Sequence, residues 1–108
     1  VLQQNTTISR EGFWKTGRGS MLPTPLPLGK PWVGRRRFLQ ALENIQRRSV
    51  LHHYKGWSNC RICGCRNGSG EYQNDGWRWP QGYQHYVEDH NVKPSLAFLE
   101  FILGEKVE

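Results

Sequence analysis

"NCRICGCRNGSG", residues 59–70, decides how the chain is read. Cys60 and Cys63 stand three apart and Gly64 follows, the spacing of a tight knuckle in which both sulfurs reach one metal ion. Gly64 permits the turn that lets backbone amides approach those sulfurs. Two donors are half a site. His85 and His90 supply the other half in the pattern Cys60-x2-Cys63-x21-His85-x4-His90, with a hairpin and then a helix between the pairs. On an ideal helix a five-residue step leaves two side chains about 140° apart, so His90 is expected where the helix ends or tightens. Cys65 competes for the fourth position, because a Cys-x-Cys step also chelates, and His52 and His53 follow it. The alternative without a metal makes Cys60 and Cys63 ordinary buried thiols. Four protein donors leave no open coordination position, so the expected cofactor is a structural zinc that contributes folding energy to a small core.

The totals agree with a small metal-dependent fold. The chain has 108 residues and a net charge of +6, and one domain of this size commonly leans on a metal, disulfides or oligomerisation. Three cysteines within six positions do not make a disulfide framework, which needs an even number spread along the chain. A reduced, cytoplasmic setting fits them better. The longest apolar runs fall short of a membrane span, and no charged-then-apolar N-terminal segment marks secretion. Five tryptophans suit either a small core or stacking surfaces. From Lys30 to Arg66 there are nine Lys or Arg against one acid; from Glu88 to Glu108 there are five acids against two lysines.

Outward from the knuckle the chain divides into three. Residues 1–20 carry no helical or strand period and read as a leader. Gly19-Ser20 before Met21 has the form of a cloning junction, which makes an expression tag one source of it. Residues 21–32 hold Pro23, Pro25, Pro27 and Pro31 and read as an extended arm laid on the protein's own surface, anchored by Leu22, Leu26, Leu28 and Trp32. Residues 33–108 read as a single zinc-binding α+β domain. It opens with a long basic amphipathic helix whose stripe is Phe38, Leu42 and Ile45. Arg35, Arg36 and Arg37 crowd its first turn, where the helix dipole disfavours cations. "VLHHYKGW" is a strand into the knuckle. "NDG" (74–76) joins a β-hairpin bearing Tyr72, Trp77 and Trp79. Two short C-terminal helices follow: one opened by Pro80 with Tyr83, Tyr86 and Val87 on its apolar side, and one from Leu96 to Leu103 that has almost no polar face. The second is either buried or an interface through Leu96, Leu99, Ile102 and Leu103.

Knuckle, hairpin and histidine-bearing helix, in that order, resemble the ββα zinc fingers with two cysteines and two histidines. The resemblance covers Cys60 to His90. It departs in spacing, 21 intervening residues against about 12 in that family, so the family's recognition-helix positions do not carry over. "CRICG" with "VEDHNVKP" is also similar to part of an HNH nuclease, which implies Asp89 as metal ligand and His90 as general base. Such sites need a further Asn and His downstream and usually a second cysteine pair; after His90 this chain has no Cys and no His, and its only Asn is Asn91. From Trp57 to Ile102 the pattern CRICG…NGS…WPQG…HYV..H.V resembles a group of small bacterial and phage-type zinc-binding proteins of unassigned activity.

Three kinds of function follow. The first is a non-catalytic interaction or assembly module, with a protein partner or a second copy covering the Leu96–Leu103 helix. The second is nucleic-acid binding through Arg35, Arg36, Arg37, Arg47, Arg48, Lys55, Arg61 and Arg66, with Trp57 or Trp32 stacking on unpaired bases. The third, an enzyme, is not expected: no nucleophile motif, phosphate loop or paired carboxylates stand out, and "NGSG" follows a knuckle and reads as a turn.

Overall fold

The computed structural model describes residues 8–14 and 22–106. It is a mixed α+β structure, with elements in the order β1 (Ser9–Arg10), α1 (Arg35–Arg47), β2 (Val50–His53), β3 (Gly70–Asn74), β4 (Trp77–Pro80), α2 (Tyr83–His90) and α3 (Leu96–Leu103). The turn at "NDG" explains the centre of the sheet. Asp75 and Gly76 have φ of 45° and 81°, both left-handed, as a two-residue turn matched to the twist of its strands requires. It pairs Asn74 with Trp77 and Tyr72 with Trp79 across antiparallel β3 and β4. β2 adds to β3 antiparallel, with Leu51 opposite Tyr72 and His52 opposite Glu71. The sheet order is β1-β4-β3-β2.

Large apolar side chains set the packing. Trp79, Phe38, Leu42, Tyr83, Val87 and Phe98 are fully buried and, with Trp32, Leu99 and Ile102, form the main core. Phe98 lies at its centre, with ring centroids 5.1 Å from Trp77, 5.4 Å from Trp79 and 5.3 Å from Tyr83. Buried indole N–H groups need a partner; Trp79 Nε1 donates to Gln46 Oε1 of α1 at 3.1 Å. Glu71, a buried carboxylate on β3, is paired with Arg78 Nε at 3.0 Å and accepts from the Tyr54 hydroxyl.

The structure changes the expectation for α3. Leu99 and Ile102 are buried in the chain's own core and Leu103 packs against it, so of the four residues assigned to an interface only Leu96 is largely exposed, at 58 %. Rings from β4 and α1 cover the helix, a cover that separate strand and helix patterns do not reveal. α3 is capped by Ser95, whose side chain accepts from Phe98 N, and ends at left-handed Gly104. Pro80 closes β4, and α2 begins at Tyr83. No helix among the described residues is long and apolar enough to cross a membrane.

The arm and the leader also differ in detail from their reading. Trp32 and Pro25 are buried, whereas Leu22, Leu26 and Leu28 are exposed. Backbone rather than leucine side chains fixes the arm: Leu28 N donates to Asn91 O at 3.2 Å and Asn91 Nδ2 donates to Leu28 O at 3.1 Å. Within residues 1–20, the described stretch 8–14 joins the fold. β1 runs parallel to β4, and the Glu11 carboxylate accepts from Ser95 N and Ser95 Oγ, both at 2.8 Å. A two-residue strand is too short to show a period. The Gly19-Ser20-Met21 junction lies outside the described residues.

Gly12 tests whether this stretch is integral. Its φ is +79°, and an added Cβ meets Tyr83 Cδ1 at 2.3 Å. Gly12→Ala is expected to destabilise by about 1–3 kcal/mol, read as a lower midpoint in chemical denaturation. No change would mean that residues 8–14 do not dock.

Candidate metal centre

The knuckle is built by backbone hydrogen bonds. Asn59 and Arg66 form an antiparallel bridge, Cys60 N donates to Cys65 O at 2.7 Å, and Gly64 N donates to Cys60 O at 2.9 Å. Gly64 turns with φ +78°, a region that favours glycine. The turn aims amides at a sulfur: Ile62 N and Cys63 N approach Cys60 Sγ at 3.4 and 3.5 Å. Such contacts stabilise thiolate, the form a metal takes.

α2 brings the other donors. His85 lies in its first turn and His90 is its last residue, followed by left-handed Asn91. Ending the helix there lets the five-residue step converge, with ring centroids 4.8 Å apart. Tyr86 ties helix to knuckle, its hydroxyl accepting from Arg61 N at 2.7 Å. One donor atom from each of Cys60, Cys63, His85 and His90 lies within 4.8 Å of the others.

The donor set fits a metal ion, and zinc is compatible with it. Tetrahedral zinc with Zn–S about 2.3 Å and Zn–N about 2.0–2.1 Å separates its donors by roughly 3.3–3.8 Å. Cys63 Sγ and His85 Nε2 are 3.4 Å apart. His90 Nε2 is buried and has no hydrogen-bond partner among the described residues, a costly state that a metal ion relieves. The Cys63 thiol is pulled down to about 5 by the Cys65 backbone N–H, then by the Cys65 thiol and the imidazoles of His85 and His90; the same pairing pushes Cys65 up.

Cys65 also reaches the cluster, its Sγ 3.3 Å from both Cys63 Sγ and His85 Nε2, although the four donors that lie mutually within 4.8 Å are those of Cys60, Cys63, His85 and His90. His52 and His53 lie outside it on β2, where His52 Nε2 meets Gln73 Oε1 at 2.7 Å. Asp89 is the residue that sequence reasoning placed otherwise. Its carboxylate lies 2.9 Å from His85 Nδ1, which leaves Nε2 facing the sulfurs, the arrangement in which a carboxylate orients a metal-ligating histidine. The signal was present, since His and Asp four apart on a helix share a face.

The cations of the basic region separate by role. Arg35 Nε donates to Val87 O at 3.2 Å and its guanidinium also reaches Glu88 O, so it caps the carbonyl end of α2. Arg37 pairs with Glu105 at 2.6 Å, Arg47 donates to Asn44 Oδ1 and Arg48 to Asn44 O. Arg61 donates to Asn59 O within the knuckle; Arg36, Lys55, Arg61 and Arg66 are exposed, and Arg66 lies 5.7 Å over the Trp57 ring.

Two outcomes test the centre. Asp89→Asn frees His85 to rotate and is expected to weaken zinc binding about 10–100-fold, measured by competition with a chelating dye. Acid should release the metal. Protons compete with the ion for the Cys63 thiolate, whose pKa is already lowered without a metal, and for the imidazoles. Zinc retention, followed by the same dye, is expected to hold at neutral pH and to be lost on acidification. No protein-family model, no curated protein and no solved structure shows a significant match to this chain.

Proposed function

We propose that this protein is a non-catalytic interaction module whose fold is stabilised by one structural zinc held by Cys60, Cys63, His85 and His90. The observation that carries this reading is the convergence of four donor atoms within 4.8 Å from two stretches of chain separated by 21 residues. Four protein donors close the coordination sphere, so the ion builds structure and leaves no position for substrate. The HNH-like alternative finds no support in Asp89, whose carboxylate is engaged by His85.

The partner is either protein, including a second copy of the chain, or nucleic acid. The burial of Leu99 and Ile102 takes away most of the apolar surface that argued for a homodimer. Exposed Trp57 beneath Arg66, beside exposed Lys55 and Arg61, favours the nucleic-acid reading. Arg35 drops out of the binding set, because its guanidinium is spent on α2.

Native mass spectrometry of the purified chain is expected to find one zinc per chain, and chelation is expected to unfold it cooperatively. Cys60→Ser and Cys63→Ser should abolish the metal-dependent thermal transition, and Cys65→Ser should lower it only mildly. Equal loss from all three would reassign the fourth donor, and a metal-free folded protein would overturn the reading.

A further inference from the structure

The knuckle, residues 12–14 and Leu22 enclose a cleft of about 190 Å³. Drug-sized sites run to about 300–1,000 Å³, so this one suits a single planar ring system. Its walls include the rings of Phe13, Trp14 and Tyr54. Two amides line the same space. Asn59 gives Nδ2 to Gly64 O, and Asn67 Oδ1 accepts the Ser58 hydroxyl. Each amide carries a second polar atom, an acceptor on Asn59 and a donor on Asn67, the two chemical types that a heterocycle edge pairs with.

The rim is cationic. Arg61 lines the cleft, exposed Lys55 follows Tyr54, and Arg66 is held opposite Asn59 by the bridge. The carboxylates near this region already have partners: Glu71 is paired with Arg78 and accepts from the hydroxyl of the cleft residue Tyr54, and Glu11 accepts from Ser95. Arg66 over exposed Trp57 adds an outer aromatic face on the same loop. Cations track phosphates without a sequence motif, and aromatic rings stack on unpaired bases.

We infer that this cleft takes one unpaired base of a single-stranded nucleic acid, stacked on Phe13, Trp14 and Tyr54, with Lys55, Arg61 and Arg66 on the flanking phosphates. The inference rests on the zinc-module reading, since Asn59 and Arg61 are placed by the knuckle. Phe13, Trp14, Tyr54, two amides and Arg61 line one small space, and Lys55 and Arg66 stand next to its lining residues along the chain or across the bridge, a combination that a merely solvated basic face does not need.

The test is fluorescence anisotropy with the zinc-loaded full chain, its metal content measured on the same sample. The probes are a labelled single-stranded pyrimidine oligonucleotide and an abasic strand of equal length. Binding of the first that weakens with salt, with the abasic strand at least about tenfold weaker, is the expected result. Phe13→Ala and Arg61→Gln, both at incompletely buried positions, should each cost about tenfold. Equal affinity for the abasic strand would overturn the base cleft and leave a phosphate-binding surface. No binding to either strand by protein carrying one zinc would overturn the nucleic-acid reading as well, with the structural zinc intact. A free nucleoside that competes as well as the strand would assign the cleft to a small planar ligand and overturn the strand.

Discussion

Two thiols and two imidazoles are held within 4.8 Å of one another, and the relation between the knuckle and α2 depends on that convergence. Unmetallated, the arrangement is poor: His90 Nε2 is buried without a partner, and the Cys63 thiol is drawn toward its charged form. A divalent ion satisfies the nitrogen and neutralises the thiolate charge at once. The supporting bonds are arranged to the same end, with amides on Cys60 Sγ, Asp89 on His85 Nδ1 and Tyr86 joining helix to loop.

The rest of the fold is held by apolar burial apart from that donor cluster. Cys60, Tyr86 and Val92 form a small cluster of their own against Trp14, separate from the main core around Phe98. The main core needs no metal chemistry, being a close assembly of rings from β4, α1, α2 and α3. The small cluster lacks that bulk, and it is the part that carries the donors. A metal contributes most where apolar burial is least.

The same division organises the surface. Where helix ends need counter-groups, cations have structural partners, as Arg35 has on α2. Around the knuckle the cations stay exposed, with Arg66 over the exposed Trp57 ring. Residues 12–14 matter for both halves: Gly12 lies against Tyr83 of the main core, while Trp14 meets Tyr86 in edge contact at 5.7 Å.

The mixed α+β character and the donor set were legible in the sequence because both rest on local spacing. Cys60-x2-Cys63 fixes two sulfurs in one turn, and Asp75-Gly76 admits the left-handed pair that folds β3 onto β4. Even the position of His90 at the end of α2 follows from the angle a five-residue step makes. What covers α3, what Asp89 touches and why Arg35 stands in a first turn were decided only by tertiary structure. Each depends on a partner distant along the chain: β4 and α1 for α3, His85 held over the knuckle for Asp89, the carbonyls of Val87 and Glu88 for Arg35. The docking of residues 8–14 belongs with these, since a two-residue strand has no period to read and gains its place only from β4 and the cap on Ser95. Local spacing sets which atoms can meet a common ligand, while burial is a property of the whole assembly.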